Sequence, residues 1–227
     1  MAGSLPDLTL FFERYEQHVR EADALFERIR AEFPELVACR EQCSSCCHAP
    51  FDLSFVEALY LYAEFQKRIP LGNGRAAILD EAYKVDHEAT LIKRRLFEES
   101  LAGKDNNALL AEMAAETLRC PLLGKDDRCI LYEVRPITCR LYGVPAAIGK
   151  KSYTCGKTGF VQGNKYPTVA LDKMQHRLLA LSAELAAFLG EDYVSLASIY
   201  VPVSSVLLKG DNASDLGIGG IRRERHL

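Results

Sequence analysis

Four of the eight cysteines in this 227-residue chain fall within nine residues, Cys39-Arg-Glu-Gln-Cys43-Ser-Ser-Cys46-Cys47. The other four follow after a gap, at Cys120, Cys129, Cys139 and Cys155. Spacing of the type C-x3-C-x2-C-C lets one loop turn several thiolates toward a common centre, and thiolates select zinc, copper(I) or iron–sulfur clusters. The fold therefore has to bring this loop to its partners, and all eight cysteines are candidate metal ligands.

An even cysteine count also admits a disulfide framework. The opening Met-Ala-Gly-Ser-Leu-Pro-Asp has no basic n-region, and the apolar run from Leu8 to Phe12 is too short for a signal peptide. A cytoplasmic, reducing location is the expectation, and there clustered cysteines favour metal over disulfides. The adjacent pair Cys46-Cys47 also resists bridging to itself, because its side chains diverge. With 48% hydrophobic residues the chain has enough apolar material for a core without covalent staples. A net charge of −3 supplies no global attraction to nucleic acid or an anionic membrane, so neither is expected as a partner. The uncharged stretch from Tyr193 to Leu208 is 16 residues long and contains Pro202. A membrane span needs roughly 20 apolar residues, so this stretch reads as a buried element.

Helical periodicity dominates the rest. Leu8, Phe11, Phe12, Tyr15, Val19, Leu25 and Ile29 recur at helical spacing up to Ala31. Ser54-Phe-Val-Glu57 is a capping box that opens a helix running to about Ile69, before Pro70. A long charged helix is expected from Arg75 to about Leu101, a break over Gly103 to Asn107, and a further helix from Ala108 to Leu118 that Cys120-Pro121 ends. Another runs from about Thr168 to Leu189. Only Cys129 to Leu131 and parts of Tyr193 to Leu208 read as strand. The expected fold is a single compact, mainly α domain with cysteine-rich metal-binding loops. Residues 1–38 should form an N-terminal helix packing on the domain. Residues 39–155 should be the cysteine-cluster region with a helical insert, 156–210 a C-terminal helical part and 211–227 a flexible tail. The helices from Ser54 and from Thr168 are expected to frame the cysteine loops.

The second cysteine region reads Cys120-Pro-Leu-Leu-Gly-Lys-Asp-Asp-Arg-Cys129-Ile-Leu-Tyr-Glu-Val-Arg135-Pro136-Ile-Thr-Cys139-Arg140. Together with the first knot it resembles the YkgJ-like cysteine-cluster family, described as zinc- or iron-chelating domains. The hallmarks of that family are the C-x-x-C-C knot, a Cys-Pro-Leu opening and a Cys-x-Ile/Leu-Tyr…Arg-Pro-x-x-Cys-Arg segment. The resemblance covers about Cys39 to Cys155 and implies metal binding. A related cluster in flagellin lysine N-methylases, where an iron–sulfur centre accompanies methyl transfer, tips the expected cofactor toward a 4Fe–4S cluster, with zinc as the alternative.

The residues themselves add three readings. Arg40, Arg119, Arg128 and Arg140 each adjoin a cysteine and are placed to compensate thiolate charge, lowering thiol pKa values. Pro136 suits the start of a short helix leading to Cys139, and Arg135 can fork onto carbonyls or an acid. The eight cysteines can build two sites, with Cys46 and Cys47 divided between them. They can also build one, from Cys43, Cys46 or Cys47, Cys129 and Cys139. His48 is a weak ligand candidate beside the knot, while His87 and His176 fall within helices. Asp215-Leu-Gly217-Ile-Gly219-Gly220 resembles a glycine-rich nucleotide loop only superficially and reads as tail. Two function classes stay open. One is a redox or reaction-supporting centre serving a protein partner; the other is a zinc-stabilised interaction domain without catalysis. No general acid/base pair stands out, so whether the chain is an enzyme is left open.

Overall fold

A single central helix explains why the remaining elements sit where they do. In the computed structural model, which describes residues 6–40, 42–149, 151–161 and 163–209, helix α2 (Phe55–Arg68) is buried on nearly every side. Phe55, Val56, Ala58, Leu59, Leu61 and Phe65 are all at most 2% exposed, so the first half of the helix lies inside the fold while its last turn, Gln66 to Arg68, reaches solvent. Its start is the capping box read from the sequence: Ser54 N–H and Oγ–H both donate to Glu57 Oε2, at 3.2 and 2.8 Å. Val56 N–H, free at this helix start, donates to Ser182 Oγ of a neighbouring helix at 3.1 Å.

Helix α1 (Thr9–Glu32) buries the stripe Phe11, Tyr15, Ala22, Phe26 and Ile29. It packs against α2, α5 (Ile137–Leu141) and α6 (Leu171–Leu189). Helix α3 (Asn73–Leu101) buries only Arg75, Ala82, Val85 and Ala89 and leans on α7 (Val203–Lys209). Helix α4 (Asn106–Ala115), which buries no residue, folds back beside α3 from an N-cap at Asp105. Two small sheets tie loops to this frame. Strand β1 (Asp52–Leu53) pairs antiparallel with β5 (Val201–Pro202). Strand β2 (Ala146–Ile148) pairs antiparallel with β3 (Lys151–Tyr153) and parallel with β4 (Val169–Ala170). The chain is mainly α, as its periodicity predicts.

The differences from the sequence reading are local. The helix expected over Ala108 to Leu118 stops at Ala115, because the chain beyond it bonds to the cysteine knot. Leu118 N–H donates to His48 O and Cys120 N–H to Cys47 O, at 3.0 and 2.7 Å. The segment Cys129 to Leu131 makes one bridge, Leu123 with Cys129, and then turns into a 3-10 turn over Tyr132–Val134. Most of Tyr193 to Leu208 is helical, and only β5 is strand. Strands of two or three residues carry no readable alternation, so β2, β3 and β4 have no signal in the sequence. The glycine-rich stretch from Asp215 and the tail 211–227 lie outside the described residues. Among the described residues no helix is long and apolar enough to cross a membrane.

Candidate metal centre

The first knot is built from backbone geometry that turns its thiols to different sides. Gln42 adopts a left-handed φ of 66°, and Cys43 N–H closes a turn onto Arg40 O at 3.0 Å. A 3-10 turn then spans Ser45–Cys47. Successive side chains on such a turn lie about 120° apart. Cys47 is accordingly buried, at 8% exposure, while Cys46 stays partly open.

The remaining cysteines arrive on separate supports. Cys120 is held to Cys47 by the backbone bond already described. The loop from Cys120 to Cys129 closes as a hairpin through Gly124 N–H to Arg128 O and Ile130 N–H to Leu122 O, both 2.8 Å. Cys139 rides on α5, which starts at Pro136. Cys155 follows β3, in a turn closed by Thr158 and docked on the chain after α1 through Gly159 N–H to Leu36 O at 2.8 Å. Cys39 packs against Gly143, where a Cβ would overlap its sulfur.

All eight thiols are free, and all eight line one or both of two adjoining cavities. The outer cavity, about 470 Å3, opens to solvent and is walled by Cys39, Cys43, Cys46, Cys47, Cys129, Cys139 and Cys155. The inner one, about 20 Å3, is walled by Cys46, Cys47, Cys120, Cys129 and Cys139 among apolar side chains that include Leu61, Leu122, Leu131 and Val203. Both cysteine regions therefore meet at one place, as the sequence reading requires. The framing differs: α1 supplies Phe26, Glu27 and Arg30 to the outer wall, α2 supplies Leu61 to the inner one, and α6 lines neither. Among the described residues no three Cys, His, Asp or Glu side chains gather around one point as the ligands of an ion.

The electrostatics are those of crowded thiols. Burial pushes Cys39 up to about 11 and Cys120 up to about 12, and it raises Cys129 as well. Cys46 goes the other way because the Cys139 and Cys47 thiols donate to its sulfur. Those two donors are raised in turn, first by that bond and then by burial. Burial and mutual repulsion thus oppose ionising several of these thiols together, a penalty that a bound cation would relieve.

Two arginines exchange the roles read from the sequence. Arg140, expected to offset thiolate charge, is buried and lines the outer cavity, but its donors are spent on oxygen acceptors. Its Nε donates to Arg135 O at 2.8 Å, Nη1 to the Asp23 carboxylate at 2.7 and 2.9 Å, and Nη2 to Glu133 O. Arg135, expected to fork, instead faces the cysteines. It lines both cavities, stacks its guanidinium 3.9 Å from the Tyr132 ring centre, and lowers the pKa of Cys39, Cys46 and Cys129. Its Nε is buried and has no acceptor. A buried orphan donor beside eight thiols fits a centre that becomes anionic when metal-thiolate bonds form. Arg119 donates to Leu123 O and Gly124 O, at 2.8 and 3.2 Å, so it braces the Cys120 hairpin. Arg40 and Arg128 stand at the outer cavity.

The histidines stay apart. His48 Nδ1 bonds to Ser44 O at 3.0 Å and lines neither cavity. His87 lies on α3 and His176 on α6, also off both walls. The sequence reading missed Glu57 as a site residue. Its Oε1 accepts Ile137 N–H at 3.2 Å, joining the α2 cap to the first turn of the helix that carries Cys139. A partner 80 positions away leaves no mark in local spacing.

A family model with the pattern CxxCxxCC, described as "Putative zinc- or iron-chelating domain", matches residues 38–156. No curated protein and no solved structure matches this chain.

Proposed function

The chain belongs to the CxxCxxCC family of zinc- or iron-chelating domains, and from that premise we propose that it carries an iron–sulfur cluster and passes electrons to or from a protein partner. The observation that supports this reading is the outer cavity, about 470 Å3 and walled by seven cysteines. A single tetrathiolate zinc, with Zn–S bonds of about 2.3 Å, needs far less room than that. Cys39, Cys43, Cys46 and Cys155 would hold the cluster, which when bound supplies one-electron chemistry.

The chain's own residues set the conditions for that chemistry. Arg135 brings a fixed cation and a spare N–H to the thiol wall, and Tyr132 holds its guanidinium flat by stacking. Residues of α1 and α5 wall the cavity, which opens to solvent and so to an approaching partner. Arg30, Arg40 and Arg128 stand beside Glu27, Asp127 and Glu133 around it, a mixed-charge rim that suits a transient protein contact. A centre held by free thiols fits the reducing cytoplasm.

The second reading, zinc as a structural lock, is favoured by the inner cavity, whose size and apolar wall suit one closed ion. Anaerobic purification discriminates the two. The iron reading expects a brown protein with iron and acid-labile sulfide in equal amounts and a dithionite-reducible signal in electron paramagnetic resonance. A colourless protein with stoichiometric zinc and no sulfide overturns it.

A further inference from the structure

Resting on the reading that these thiols hold metal, we propose that the eight cysteines form two separate centres. Cys39, Cys43, Cys46 and Cys155 make an outer one, and Cys47, Cys120, Cys129 and Cys139 make an inner mononuclear tetrathiolate. The pivot is the 3-10 turn Ser45–Cys47. Its geometry offsets the two side chains by about 120°, and Cys46, whose sulfur accepts from the Cys47 and Cys139 thiols, stands where the two groups of cysteines adjoin. Both thiols line both cavities, Cys47 being the more buried and Cys46 the more open of the two.

The supports divide in the same way. Three of the outer thiols, Cys39, Cys43 and Cys155, line the outer cavity alone. They sit on loops that follow α1 and β3. Of these two cavities Cys120 lines only the inner one, and its N–H is bonded to Cys47 O at 2.7 Å. Cys129 is tied to the same hairpin through its bridge with Leu123, and Cys139 reaches the wall from α5. The outer loops thus provide three thiols and need a fourth, which Cys46 supplies. The inner supports provide Cys120, Cys129 and Cys139 and need a fourth, which Cys47 supplies.

Size decides the nature of the inner centre. A cavity of about 20 Å3 accepts one ion but not a cluster. Its wall, with Leu61 from α2 and Val203 from α7, belongs to the hydrophobic core, so the inner ion clamps the two cysteine regions onto the helical body. The outer centre stays exchangeable with solvent and partner. Each thiol that binds releases its proton, so loading either centre expels protons to the buffer.

The test uses the full chain, stripped anaerobically and titrated with cadmium alone. Bound cadmium is counted by native mass spectrometry, and each tetrathiolate resonance is resolved by 113Cd magnetic resonance. Two cadmium ions per chain and two resonances are expected. Cys43→Ser and Cys155→Ser should each bind one ion and erase the same resonance, and Cys120→Ser should erase the other. Circular dichroism reports whether each variant folds. Should Cys120→Ser unfold, the outer variants alone carry the test, because each must retain one ion. One ion per chain in the unmodified protein overturns the two-centre reading, as does loss of both resonances in a folded Cys43→Ser or Cys155→Ser chain. No bound cadmium at all would sink metal binding itself. Two cadmium sites in a protein that never holds iron would leave the two centres standing and sink only the iron–sulfur reading.

Discussion

Replacing Glu57 tests whether the helical core and the cysteine region are one mechanical unit. Glu57 is 5% exposed, and its carboxylate gathers four donors. Ser54 N–H and Oγ–H reach Oε2 at 3.2 and 2.8 Å, while Ile137 N–H and Tyr15 O–H reach Oε1 at 3.2 and 3.5 Å. In Glu57→Ala the two hydroxyls can rotate toward other acceptors, but the two backbone N–H groups are fixed. A buried donor left unpaired costs about 1–3 kcal/mol, so two of them cost about 2–6 kcal/mol before any relief. Relief exists, because the carboxylate no longer has to be charged in an apolar setting. A net loss of about 3 kcal/mol is the expected outcome. Glu57→Gln keeps one acceptor oxygen and should lose about half as much.

The distinguishing expectation is where the damage appears. Ile137 N–H belongs to the first turn of α5, two residues before Cys139, so Glu57→Ala should speed metal release as well as lower the urea midpoint. The pH dependence has a defined sign. Burial raises the Glu57 pKa above its ordinary value, against the hydrogen bonds that lower it. The folded state therefore prefers the protonated acid. The charging penalty is absent below the unfolded-state pKa and complete above the folded-state value. The unmodified chain should thus gain stability relative to Glu57→Gln as pH falls through that window. Chemical unfolding of metal-loaded protein, followed by far-UV circular dichroism across pH, measures both effects. Glu57→Ala within about 0.5 kcal/mol of the parent, with unchanged metal release, would refute the coupling.

Two other substitutions probe the supports of the thiols. Arg140→Ala should destabilise by about 2 kcal/mol and loosen the Cys139 helix, since it strips donors from Arg135 O and Glu133 O and unties Asp23 of α1. Arg140→Lys should not rescue it, because one ammonium cannot reproduce the fork; urea unfolding that places the lysine variant level with the parent would oppose this. Gly143→Ala should leave the helical spectrum intact and lower metal content, because its Cβ takes the space of the Cys39 sulfur and meets Cys39 Cβ at 3.1 Å. Overpacking of this kind costs about 1–3 kcal/mol, and unchanged metal by mass spectrometry would count against Cys39 as a ligand.

The helices were legible because their residues repeat a short-range rule. Phe11, Tyr15 and Ile29 mark the buried face of α1 by spacing alone, while Ala22 and Phe26 complete it and Phe12, Val19 and Leu25 are only partly buried. Ser54 and Glu57 mark the start of α2 by hydrogen-bonding chemistry that operates within one turn. The end of α4 was not legible, because nothing between Ala115 and Leu118 breaks a helix. The chain leaves helical geometry there to bond with Cys47 and His48, and a competing partner from another region is invisible to periodicity. Strands β2, β3 and β4 failed for the related reason that two or three residues cannot display alternation.

The same distinction governs the centre. That the cysteines would meet was readable from their types and spacing, since thiolates so clustered need a shared cation. Which arginine faces them was not, because adjacency to Cys139 favoured Arg140, and the partners that commit Arg140 lie elsewhere in the fold. Their roles are decided by Asp23. That carboxylate on α1 engages the Arg140 guanidinium, and Arg140 in turn holds Arg135 O, so Arg140 lines the outer cavity with its donors already committed. Arg135 is then left to stack on Tyr132 with its Nε unpartnered toward the cavities. Which cation keeps an unpaired donor beside the thiols therefore depends on a carboxylate over a hundred residues upstream. Charge compensation at this centre is thus a property of the packed fold, which cysteine spacing alone could not express.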